Sequence, residues 1–130
     1  MVNEIALQFL KDLGFFTILF LISTLIHELG HIIHHRYVLK KWPAFGITKY
    51  LFFYVVIDGE MTLGQRMYNI LIAIFVGLVF VISIGSFILC AAYIVACMFD
   101  VKVFIELWKL SDRYGYHRTM NEVIECDKDR

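Results

Sequence analysis

Residues His27-Glu28-Leu29-Gly30-His31 form an HExxH pattern. On a helix, positions i and i+4 lie on one face, one turn apart. Two imidazoles placed this way bind one Zn²⁺, and the glutamate beside the first stands where a general base toward water on the metal must stand. The surroundings sharpen the reading. Residues 13–35 are apolar apart from these polar groups, and Glu28 is their single formal charge. A carboxylate inside a membrane span is costly and marks a functional site. The spacing therefore predicts His27 and His31 as metal ligands and Glu28 as the acid–base group.

A second pattern overlaps the first. His31-Ile32-Ile33-His34-His35 reads HxxHH and His27 to His31 reads HxxxH, as in the boxes of membrane di-iron hydroxylases. Such sites draw on many histidines; this chain has five, with His117 remote, and the di-iron reading leaves Glu28 without a role. His34 lies ~10 Å along the helix from His27, too far to share its metal. His34 and His35 are expected as solvated histidines at the membrane interface.

These groups need elements to position them. A helix crosses the ~30 Å hydrocarbon core in ~20 residues. Residues 13–35 satisfy this; residues 3–13 are either a short interfacial helix or the start of the same span. Residues 13–35 do not read as a signal peptide, having neither a basic leading region nor a small-residue cleavage site. Residues 67–99 contain no Asp, Glu, Lys or Arg, and these 33 residues would extend ~50 Å as one helix. A hairpin fits better, turning at Ser83-Ile84-Gly85-Ser86 and running past Asp100 to interfacial anchors at Trp108 and Lys109. Between the first two spans, residues 47–57 (ITKYLFFYVVI) are β-branched and aromatic, which predicts strand or hairpin, with a turn at Asp58-Gly59. Thr62-Leu63-Gly64-Gln65 has capping-box spacing. The fold class is an α-helical membrane protein. It has about three transmembrane helices (13–35, 65–83 and 86–108) and a small membrane-associated β segment between the first and second. All 130 residues form one transmembrane domain, with 112–130 as a cytoplasmic tail.

Catalytic zinc usually takes three protein ligands. Candidates for the third are Asp58, Glu60, Asp100, Glu106 and Asp112. Depth favours Asp100. From Leu13, His27 lies ~21 Å down its helix; from the Gly85 turn, Asp100 lies ~22 Å and Asn69 ~24 Å down theirs. These three share a level. Asp58 belongs to the loop and stays as the alternative.

Twelve Lys+Arg balance twelve Asp+Glu, so no basic excess points to nucleic acid. Their distribution is informative. One basic residue precedes the first span, five lie in the 36–66 loop, none in the hairpin turn and six beyond Asp100. This places the N-terminus and hairpin turn outside, and the middle loop and C-terminus in the cytoplasm. Glu28 and Asp100 are the two acids placed in the spans without a basic neighbour there, and a divalent cation is the partner this implies. Cys90, Cys97 and Cys126 make no disulfide framework and read as reduced thiols.

The constellation resembles the site-2 protease family of intramembrane zinc metalloproteases. HELGH at 27–31 in an apolar helix, the β-rich insert at 47–57, Asn69 early in the next helix and Asp100 in the third carry the resemblance. Together they correspond to the family's three-helix core. The family's third ligand lies in a Leu-Asp-Gly motif. Here the corresponding stretch is Phe99-Asp100-Val101, while Ile57-Asp58-Gly59 matches the letters more closely but precedes the Asn69 helix. The resemblance implies a zinc-dependent endopeptidase cutting a peptide bond in or near a transmembrane helix of a membrane-protein substrate. His27, His31 and Asp100 would bind Zn²⁺. Glu28 and Asn69 would be catalytic, Asn69 donating to substrate or oxyanion. The 47–57 segment would pair with an extended substrate. Partners are the lipid bilayer, the transmembrane substrate, and a regulatory membrane partner or second copy. Two other classes compete: a non-catalytic membrane metal-binding or assembly protein, and a di-iron membrane hydroxylase.

Overall fold

In the computed structural model, which describes residues 1–47 and 53–129, the leading apolar segment is continuous with the first span. Helix α1 (Val2–Leu39) runs for 38 residues, ~57 Å at helical rise. It buries Ser23, His27, Gly30, His31 and His35, which recur at three- and four-residue spacing on one face. Leu21, Ile22, Leu25, Leu29 and Ile33 are exposed. From residue 21 to 35, therefore, the buried face of α1 carries its serine and histidines while these large apolar side chains face outward.

Strands β1 (Ala44–Ile47) and β2 (Phe53–Val56) pair antiparallel, with Ala44 opposite Val56 and Ile47 opposite Phe53. The hairpin thus begins three residues earlier than the composition of 47–57 suggests; residues 48–52 of that segment lie outside the described residues. Thr62 opens α2 (Leu63–Ile84) with the expected capping box: its hydroxyl accepts from Gln65 N–H, and the Gln65 side chain accepts from Thr62 N–H. Gly85, at φ +79°, closes α2 in the left-handed conformation that glycine adopts without penalty. Ser86 caps the next helix through Leu89 N–H.

The third span is not one helix. It divides into α3 (Phe87–Ala96) and α4 (Met98–Tyr114), bent by 42°. Cys97 sits at the break with ψ −9°, against about −42° in a regular helix, which turns the axis. The tail forms α5 (Met120–Lys128), capped by Thr119. It docks on the start of α2: Leu63 N–H donates to Arg118 C=O and Gly64 N–H to Tyr116 C=O, satisfying donors that a helix start leaves open. By length and composition, α1 and α2 can each cross a membrane, and α3 with α4 makes a third span if the bent pair counts as one.

Two apolar clusters flank the middle of α2. One joins Leu63, Met67 and Ile70 to Leu107 and Val123; the other joins Val81 to Leu89, Tyr93 and Cys97. Between them α2 presents Asn69, Ala73 and Gly77, all small or polar. Gly30 of α1 packs directly on Ala73: a Cβ at position 30 would lie 2.7 Å from Ala73 Cα. Gly30→Ala is expected to push α1 from α2 and destabilise the fold by ~1–3 kcal/mol. Gly14→Ala, with nothing within 4 Å of the added carbon, is expected to be neutral or to stabilise by up to ~1 kcal/mol. Thermal unfolding of both variants in one detergent checks the contrast.

Candidate metal centre

His27 and His31 lie one turn apart on α1, and both are 8% exposed. Their rings stand edge to face, with centroids 4.9 Å apart. Asp100, in the first turn of α4, meets both: its Oδ2 is 2.5 Å from His27 Nε2 and 3.3 Å from His31 Nε2. Glu28 is half-buried beside them. Ligand atoms of His27, Glu28 and His31 lie within 4.8 Å of one another, so this buried group can hold a metal ion. The bend at Cys97 directly precedes α4 and carries Asp100 toward α1.

Asn69, 1% exposed on α2, is hydrogen-bonded to the same centre. Its Nδ2 faces two acceptors, His31 C=O at 3.0 Å and His34 Nδ1 at 3.1 Å. Its Oδ1 therefore faces His31 Nδ1. An amide oxygen only accepts, so His31 Nδ1 carries a proton, and Nε2 is the ring nitrogen left facing the centre. Both amide protons of Asn69 are engaged within the protein.

Two cavities meet at this point. One, of 280 Å³, is bordered by Glu28, His31, Asn69 and Asp100, with Tyr54 and Val55 of β2 on its wall. The other, of 170 Å³, is bordered by His27, Glu28, Tyr93, Cys97 and Asp100. Glu28 and Asp100 border both.

Asp58 lies in the loop. Its Oδ2 is 2.9 Å from Lys41 Nζ and its Oδ1 accepts from Glu60 N–H. The Glu60 N–H first, and Lys41 second, hold its carboxyl below the usual carboxylate range. Asp58 and Glu60 in turn raise the Lys41 ammonium. His35, expected to be solvated, is 1% exposed. Its Nδ1–H donates to Lys41 C=O at 3.1 Å and its Nε2 accepts from Asp58 N–H at 3.3 Å. One buried ring thus pairs with a backbone group at each end of the loop, and both its nitrogens have partners. His34 is half-buried and held by Asn69 rather than free at an interface.

Two neighbours of the site do not stand out in the linear sequence. Tyr93 Oη lies 2.9 Å from His27 Nδ1, and Cys97 Sγ lies 4.0 Å from the same atom. The signal that could have found them is helical spacing: Tyr93, Cys97 and Asp100 are four and three residues apart, a stripe of hydrogen-bonding groups in an apolar run. No family model matches the chain, and no curated protein or solved structure does.

Proposed function

We propose that this chain is an intramembrane zinc metalloprotease similar to the site-2 protease family, cutting a transmembrane protein substrate. One observation carries the metal reading. With its Nδ1 protonated by the Asn69 contact, His31 in its neutral, metal-binding form turns an Nε2 lone pair toward Asp100 Oδ2 at 3.3 Å. Two acceptors face each other there, and a cation between them makes the arrangement attractive. Two imidazoles and a carboxylate are a donor set for catalytic zinc. His27, His31 and Asp100 would hold it, leaving Glu28 unligated.

Zinc, when bound, supplies a Lewis acid that brings the pKa of a bound water toward ~7. Glu28 would take the attacking water's proton as its oxygen adds to the peptide carbonyl, and return that proton to the amine as the C–N bond breaks. Glu28 borders both cavities, so it reaches water from one while substrate occupies the other. Asn69 acts as a positioning residue for His31. An extended substrate segment lies along Tyr54 and Val55, where a strand can add its backbone hydrogen bonds. The outward-facing apolar surface of α1 supports membrane insertion, and the Lys/Arg distribution supports cytoplasmic placement of the middle loop and C-terminus.

Metal content and hydrolysis test this together. The purified chain is expected to hold one zinc ion and to cleave a single-span reporter peptide in proteoliposomes. A chelator is expected to stop cleavage, and added zinc to restore it. Zinc uptake without cleavage of that reporter or of labelled casein in detergent would favour a non-catalytic metal-binding protein. Two irons per chain would favour an oxygenase.

A further inference from the structure

Asn69 orients one of the two imidazoles; the other has a different support. Tyr93 is 1% exposed, and its hydroxyl lies between His27 Nδ1 at 2.9 Å and Ile74 C=O at 3.0 Å. When the phenol proton goes to the Ile74 carbonyl, which only accepts, the phenol oxygen is left to accept from His27 Nδ1–H, the tautomer that frees Nε2 from proton-bearing for a metal. We propose that Tyr93 is a positioning residue that holds His27 in its Nδ1–H form and aims the Nε2 lone pair at the metal. This rests on the metal reading above and adds the device that orients its first ligand.

The tyrosine cannot easily turn away. Its ring packs with Val81, Leu89 and Cys97 and stands edge to face on His27, with centroids 5.9 Å apart. Its tip passes over Gly77 of α2. A Cβ at position 77 would lie 2.0 Å from Tyr93 Oη and 2.4 Å from Cζ, so the absent side chain makes room for the hydroxyl. Helix α2 therefore anchors both imidazoles, His31 through the Asn69 side chain and His27 through the Ile74 carbonyl by way of Tyr93. Outer partners of this kind fix the ring and its tautomer, and losing one typically lowers metal affinity ~10–100-fold. Cys97 is the competing partner for Nδ1, but at 4.0 Å a thiol is a weak acceptor.

Zinc affinity by chelator competition, measured on the full chain in detergent, tests the assignment. Tyr93→Phe keeps the ring and removes the hydroxyl. It is expected to weaken zinc binding ~10–100-fold and to change the visible absorption of the cobalt-substituted protein, because His27 is freed to rotate. Cys97→Ala is expected to bind zinc within about twofold of the parent, on the order expected for a weak partner. Gly77→Ala is expected to match Tyr93→Phe, and the double variant to lose little more, as for two changes acting on one contact. Should Gly77→Ala not fold, Tyr93→Phe and Cys97→Ala still decide. A Tyr93→Phe chain that binds zinc like the parent, even with a lower unfolding temperature, overturns the role. So does a loss that follows Cys97→Ala instead. A parent chain that takes up no zinc overturns the metal reading and this role with it; a parent that binds zinc while Tyr93→Phe has no effect overturns this role alone.

Discussion

Glu28→Gln is expected to lower peptide-bond hydrolysis by on the order of 10²–10⁴-fold while leaving one zinc ion bound. The amide keeps the shape of the carboxylate and its ability to accept a hydrogen bond, but it does not take a proton at neutral pH. The placement of Glu28 makes the experiment decisive. It is half-buried, borders both cavities and lies within ligand reach of His27 and His31. Glu28 can therefore stand near the metal in two ways, as acid–base group or as a further ligand. The first way predicts activity lost and zinc kept. The second predicts that both fall together, since an amide is a poorer zinc ligand than a carboxylate. Inductively coupled plasma metal analysis beside a turnover assay on the same sample separates them. A variant that cleaves at the parent rate would remove Glu28 from the chemistry altogether.

The centre was legible to different depths in its different parts. His27, Glu28 and His31 are adjacent in sequence, and helical geometry alone gathers them. Asn69 and Asp100 come from other helices, yet counting the rise from the turn at Gly85 brings both to the level of His27, and in the fold both touch the imidazoles. The start and stop of α2 are themselves marked by strong local signals, the Thr62 capping box and the left-handed Gly85. Local signals fail where partners are distant. Nothing near position 97 in sequence marks the 42° bend, because Cys97 keeps a right-handed backbone and no glycine or proline interrupts the run. His35 reads as an interfacial residue by position. It is buried because two backbone groups, at Lys41 and Asp58, converge on its two nitrogens, and that convergence exists only once the loop has folded back. Likewise the polar tail gives no sign in its composition that Val123 inserts beside Leu63 and Leu107.

Asp100→Ala is expected to weaken zinc binding by more than the ~10–100-fold that an outer partner contributes, whereas Asp58→Ala leaves it unchanged. The two acids separate by what they touch. Asp100 Oδ2 contacts both imidazole Nε2 atoms; Asp58 is engaged by Lys41 and by the Glu60 N–H. Asp58 stabilises the loop that β2 leaves through, so its loss is expected to show in loop protection rather than in metal content. Ligand atoms of a tetrahedral zinc with bonds of ~2.0–2.2 Å stand ~3.3–3.5 Å apart. His31 and Asp100 already have that separation, at 3.3 Å. His27 and Asp100, at 2.5 Å, are in direct contact and must part to admit an ion. Asp100→Asn sharpens the test: it retains the size and loses the charge, leaving Glu28 as the single carboxylate at the centre. If Asp100 neutralises the metal as a ligand, Asn and Ala fail alike. If it lies beside the ion without binding it, Asn keeps its size and hydrogen-bonding groups and is expected to retain most of the affinity. Zinc titrations of the three variants against one chelator, with hydrogen exchange in the loop as the second readout, distinguish these outcomes. Zinc kept in Asp100→Ala and lost in Asp58→Ala would move the third ligand to the loop.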